Sequence, residues 1–184
     1  MEPYDIPHRI SYRNIKHPRL ELRTGELMVI LPFGHDPKIL LTKYQNWIIK
    51  KTELIKECLR ESSSKKITPR TESEFKKLVH LTVEAFAKEL KVNVNRVYFR
   101  KMKTKWASCS SKKNITVNTL MKTLPDQLIN YIIFHEISHL IKKKHTDKFW
   151  NLVSTKFPNH LKIEKDLLTY WLLFQSEYLT DQEC

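Results

Sequence analysis

The stretch Tyr131 to His145, YIIFHEISHLIKKKH, constrains this chain more than any other. Leu128, Tyr131, Ile132 and Leu140 recur through it at helical spacing, and His135, Glu136 and His139 stand in the order His-Glu-x-x-His. On a helix, positions i and i+4 share one face a turn apart. Two imidazoles placed so can reach one metal ion, and the carboxylate beside the first can reach a water there. The fold must therefore hold an apolar helix with one polar face turned to a cleft. With 8 histidines in 184 residues, chance seldom produces the pattern. Pro125 suits the start of this helix, Asp126 its first turn, and Lys142 to Lys144 its end, which predicts a helix from about 125 to 143.

A catalytic zinc takes three protein ligands and keeps a position for water. His135 and His139 supply two. His145, ten residues after the first, would point about 80° away on a continuous helix. It can serve only if the chain leaves the helix between Leu140 and His145. Glu164, an acid on a later helix, is the other candidate.

The rest of the sequence sets bounds. The length suits one domain with a smaller appendage. No apolar run approaches the ~20 residues of a membrane span, so no membrane partner is expected. The opening MEPYDIPHRI has two acids and two prolines and does not read as a signal peptide. Cys58, Cys109 and Cys184 are too few and too scattered for a disulfide framework, which points to the cytoplasm. The net charge of +13 admits nucleic acid or acidic substrates without requiring either.

Along the chain, 9–15, 20–23 and 26–31 read as short strands, with Thr24-Gly25 turning between the last two. A helix is predicted from Pro37 to about Arg60, capped by Asp36 and carrying Trp47 and Ile48. Glu61 to Pro69 is a serine-lysine linker. Thr71-x-x-Glu74 is a capping box opening a second long helix. Strands at 96–103 and 115–120 flank a polar loop at 104–114, and two more helices follow the metal-binding one. The reading is an α+β fold with a small antiparallel sheet, divided into residues 1–66, short strands and a helix, and 67–184, the catalytic part.

Lys103-Thr104-Lys105-Trp106-Ala107-Ser108-Cys109-Ser110, Ile115-Thr116-Val117-Asn118, Leu124-Pro125, the His135 to Leu140 motif, and His145 with Phe149-Trp150 together resemble the YgjP-like metallopeptidases, with the SprT and WLM zinc proteases more distant. The resemblance implies a zincin-like core, one Zn2+ per chain held by His135, His139 and His145, and Glu136 as general base on peptide or protein substrates. Where the family usually has glycine this chain has Ala107, and it often has glycine near Lys113.

Around the motif, the strand ending at Asn118 is expected beside the metal-binding helix, where an edge could pair with an extended peptide. Asn118 is a candidate donor to a substrate carbonyl. Trp106, Ser108 and Cys109 are candidates for the cleft wall, and Phe149 and Trp150 for support behind His145. The main expectation is a zinc-dependent peptidase. The alternative is a basic DNA-associated module, either acting on DNA-bound proteins or holding zinc without catalysis.

Overall fold

The computed structural model describes residues 8–23 and 26–180, so the Thr24-Gly25 turn lies outside the described residues. Two compact units form, Met1–Lys65 with Leu168–Cys184, and Lys66–Leu167. The boundary at Lys65 falls in the serine-lysine linker. The sequence pattern places 67–184 in one part, whereas the residues from Leu168 group with the first unit.

In the first unit, β3 (Glu26–Leu31) is central, with β1 (His8–Tyr12) parallel on one side and β2 (Arg19–Arg23) antiparallel on the other. Leu27, Val29 and Leu31 alternate along β3 and are all buried. They pack against Leu40, Leu41 and Ile48. Gly34, at φ +79, turns the chain after β3, and His35 N–H donates to the Pro32 carbonyl. The expected single helix is two, α1 (Pro37–Lys43) and α2 (Gln45–Ser62). They part at Tyr44, whose φ of −108 and ψ of 15 lie off the helical values. The break lets Leu40 and Leu41 of α1 join Ile48 of α2 in one cluster on the sheet. Farther along α2, Ile55 and Cys58 bury against Leu172.

In the second unit, α3 (Glu72–Glu89) opens on the Thr71 and Glu74 capping box. It closes without glycine. Lys91 takes φ 54, Val92 N–H donates to the Ala87 carbonyl and Lys91 N–H to the Lys88 carbonyl, the bonds of a Schellman motif. A three-stranded sheet follows, in the order β4 (Arg96–Arg100), β6 (Asn114–Asn118), β5 (Ala107–Cys109). It is mixed rather than antiparallel, because β4 runs parallel to β6. The segment 104–114, read as loop, contains β5. Its Ala-Ser-Cys is three residues long, too short for alternation to announce a strand.

The helix α4 (Asp126–Ser138) carries the metal motif and is sheathed in apolar side chains; Ile129, Ile133, Phe134 and Ile137 are fully or almost fully buried. Phe86 of α3 meets Phe134 edge-on. The start of α4 is tied down by Arg70, which donates to the carbonyls of Lys122 and Leu124 and pairs with Asp126. Beyond it lie α5 (Asp147–Lys156), stopping before Pro158, and α6 (His160–Thr180). Among the described residues, no helix is long and apolar enough to cross a membrane.

Candidate metal centre

The helix α4 ends at Ser138, well before the predicted 143, and His139 is its C-cap. Ser138 Oγ donates back to the Phe134 carbonyl, and the N–H groups of Leu140, Ile141 and Lys142 close a tight turn onto Ile137 and Ser138. The turn needs no glycine, since none of residues 140–145 has a positive φ. It reverses the chain and returns His145 to the histidines it would have left on a continuous helix.

One ligand atom from each of His135, His139 and His145 lies within 4.8 Å of the others. His135 Nε2 and His145 Nε2 are 3.0 Å apart. Donor atoms around a tetrahedral zinc, each about 2.0–2.1 Å from the ion, are separated by little more than this. The rings are held from behind. His139 Nδ1 lies 3.2 Å from the Lys142 carbonyl, a bond that leaves Nε2 as the free ligand atom. Phe149, fully buried, stacks on His139 and meets His135 and His145 edge-on. Trp150 stacks on His145 on one side and on His160 on the other. Phe149 and Trp150 are therefore the support behind the cluster.

Burial drives the His135 pKa down to about 3, with further lowering from His139 and His145. Burial also lowers His139, against the Lys142 carbonyl. Both rings are therefore neutral at pH 7, with lone pairs free for a metal. The donor set and its spacing fit zinc.

Glu136 lines the same cleft, of about 750 Å³, and stands outside the cluster of ligand atoms. Burial pushes its carboxyl up to about 7, although the Cys109 N–H donates to it and the Lys105 ammonium attracts its charge. Glu164 is not in the cluster. It accepts the Tyr131 hydroxyl at 2.8 Å; burial first, then the Glu164 charge and this bond, raise the Tyr131 phenol above its usual range.

Ser108 and Cys109 line the cleft with the histidines, and Trp106 lines a smaller recess of about 180 Å³ beside His135 and Glu136. Burial, then the Glu136 charge, pushes the Cys109 thiol up to about 11, which leaves it no nucleophile at neutral pH. Asn118 is elsewhere. It is fully buried, Nδ2 donates to the carbonyls of Met102 and Lys105, and Oδ1 accepts from the N–H groups of Met102 and Leu120. No donor is left for a substrate, so Asn118 fastens the loop leading into β5 instead. Its strand, β6, is central in the sheet, and the edge beside α4 is β5.

That edge has free backbone. Antiparallel pairing alternates, and Trp106 O and Ser110 N bond to Asn118 and Asn114 across the ladder. By that alternation the main-chain groups of Ala107 and Cys109 point outward. Ala107, in strand conformation, does not have the positive φ that would strain it. Lys113 does, at φ 60, in the turn from β5 to β6. Lys105, Lys113 and Lys143 line the same cleft, a role the sequence does not mark, since they merge with a chain rich in lysine.

The family model for the YgjP-like metallopeptidase domain matches residues 45–170. No curated protein matches the chain. Among solved structures, the metallopeptidase zymogen abylysin of Pyrococcus abyssi is 27% identical with a TM-score of 0.46, over 50% of this chain and 92% of that one. The metallopeptidase zymogen jannalysin of Methanocaldococcus jannaschii is 29% identical with a TM-score of 0.44, over 48% of this chain and 84% of that one.

Proposed function

The chain belongs to the YgjP-like metallopeptidase family, and on that premise we propose that it is a zinc-dependent peptidase with Glu136 as general base. One observation carries the reading: three imidazoles converge within ligand distance at the wall of a cleft that also holds a buried carboxyl outside the ligand set. His135, His139 and His145 would hold the ion. Zinc, when bound, would supply Lewis acidity to a substrate carbonyl and to a water.

The remaining steps belong to the chain. Glu136 takes a proton from the attacking water as oxygen adds to the carbonyl carbon, then returns it to the amine nitrogen as the C–N bond breaks. The Cys109 N–H orients the carboxylate for this. The outward N–H and carbonyl of Ala107 and the carbonyl of Cys109 offer an extended peptide a strand to lie against. Phe149 and Trp150 keep the ligand rings from turning.

The test is metal content and turnover together. The parent should hold about one zinc per chain and cleave a fluorogenic peptide pool. Glu136→Gln should keep the zinc and lose at least 10²-fold in rate. His145→Ala should lose the zinc. Full activity in Glu136→Gln would refute the role of Glu136, and zinc retained in His145→Ala would refute the three-histidine site.

A further inference from the structure

The cleft's charge is lopsided. Three lysines on three separate segments face it: Lys105 before β5, Lys113 in the turn from β5 to β6, and Lys143 in the turn between His139 and His145. All three are exposed, and none pairs with a carboxylate in a salt bridge among the described residues. Among the described residues the one carboxyl lining the cleft is Glu136, which is held by the Cys109 N–H and attracted by the Lys105 ammonium, so three cations face a single carboxyl.

The backbones beneath these lysines are fixed. The Lys105 carbonyl accepts from the buried Asn118 amide. The Lys113 N–H donates to Ser110 and its carbonyl accepts from Asn95. Lys143 sits in the turn whose neighbour, Lys142, is bonded at both its N–H and its carbonyl. Lys113 is held at φ 60, where a glycine would be less strained, in a turn that points its side chain at the cleft. Strain of this kind in a cleft is a sign of use.

We propose that the cleft selects acidic peptide segments, with Lys105, Lys113 and Lys143 binding carboxylate side chains that flank the bond to be cleaved. This rests on the peptidase reading. A peptide is favoured over a nucleic-acid strand because the Ala107 N–H and carbonyl and the Cys109 carbonyl, on the outward edge of β5, suit the alternating donors and acceptors of an extended peptide backbone. Such charges discriminate chiefly by rejecting a basic segment and by steering an acidic one.

The experiment uses the zinc-loaded full chain and quenched fluorescent peptides of one sequence, with the flanking positions all Glu, all Gln or all Lys. The Glu peptide should show kcat/KM about tenfold above the Gln peptide, as expected for a few partly exposed charge pairs. The difference should shrink when salt is raised from about 0.05 M to about 0.5 M. The triple variant Lys105→Gln, Lys113→Gln, Lys143→Gln should lose most of the preference. Lys88→Gln, Lys148→Gln, Lys162→Gln, which removes the same charge away from the cleft, should keep it.

Binding of the same peptides to zinc-loaded Glu136→Gln, read by fluorescence anisotropy with a single-stranded oligonucleotide as competitor, separates the two claims. If no peptide is cleaved but the Glu peptide still binds about tenfold tighter, the peptidase reading fails and the acidic preference stands. If Glu and Gln peptides are cleaved and bound alike, the preference is overturned and the peptidase reading stands. An oligonucleotide that displaces the Glu peptide and binds more tightly overturns the proposal in favour of nucleic acid.

Discussion

Replacing Asn118 with alanine separates a structural role from a substrate contact. The side chain is fully buried and makes four bonds to backbone groups: Met102 N–H, Met102 carbonyl, Lys105 carbonyl and Leu120 N–H. Each is worth about 1 kcal/mol net. Lys105 is exposed, so water can replace the bond at its carbonyl, while the groups on Met102 and Leu120 are half-buried and are less easily rehydrated. The loss should come to about 3 kcal/mol, or roughly 6–12 °C in Tm for a chain of this size. Asn118→Asp keeps the shape but turns an acceptor toward two carbonyls, so it should cost at least as much. Urea unfolding at matched zinc content, followed by far-UV circular dichroism, reads the change in midpoint at constant slope. A midpoint within about 0.5 kcal/mol of the parent, together with a fall in kcat/KM, would refute the reasoning and restore Asn118 as a substrate contact.

Other outcomes follow from the same geometry. Lys91→Gly should stabilise the chain by about 1 kcal/mol in urea, because the residue sits at φ 54 in a Schellman motif; an unchanged midpoint would show that the lysine is not strained there. Glu136 is predicted to oppose folding of the metal-free protein at neutral pH. Its carboxyl is raised from about 4.5 to about 7, so the native state holds the proton more tightly, and this contribution, full below pH 4.5, is lost as pH rises to 7. Metal-free Glu136→Gln should then exceed the parent by about 3 kcal/mol at pH 8 and match it near pH 4; His135, which shifts the opposite way, is common to both and cancels. Equal stability at pH 8 would mean the carboxyl is not buried as described. Arg70→Lys should cost about 2 kcal/mol, because an ammonium cannot serve the two carbonyls and Asp126 with one planar fork; a melt unchanged from the parent would remove Arg70 as the anchor of α4.

Local chemistry made much of this protein legible in its sequence. The His135, Glu136 and His139 spacing specifies a helix face, Thr71 and Glu74 specify a cap, and the alternation of Leu27, Val29 and Leu31 specifies a strand with one buried side. Each is a pattern within a few residues, so each can be read where it stands. The tertiary structure decided the rest. His145 joins the cluster only because α4 stops at Ser138, and that stop depends on a turn marked by neither glycine nor proline. The strand β5 exists because β6 supplies its partners, and β4 lies parallel to β6 because the sheet is assembled across a long stretch of chain. Asn118 reads as a donor beside a cleft, yet the loop at Met102 and Lys105 folds over it and takes both of its amide protons, while the N–H groups of Met102 and Leu120 take its oxygen. Three lysines lost in a basic composition become one charged rim only when the two ends of the β5 segment meet the turn after α4. Periodicity and capping act over a turn or two of chain, whereas ligand convergence, strand pairing and the burial of a polar side chain depend on residues far apart in sequence.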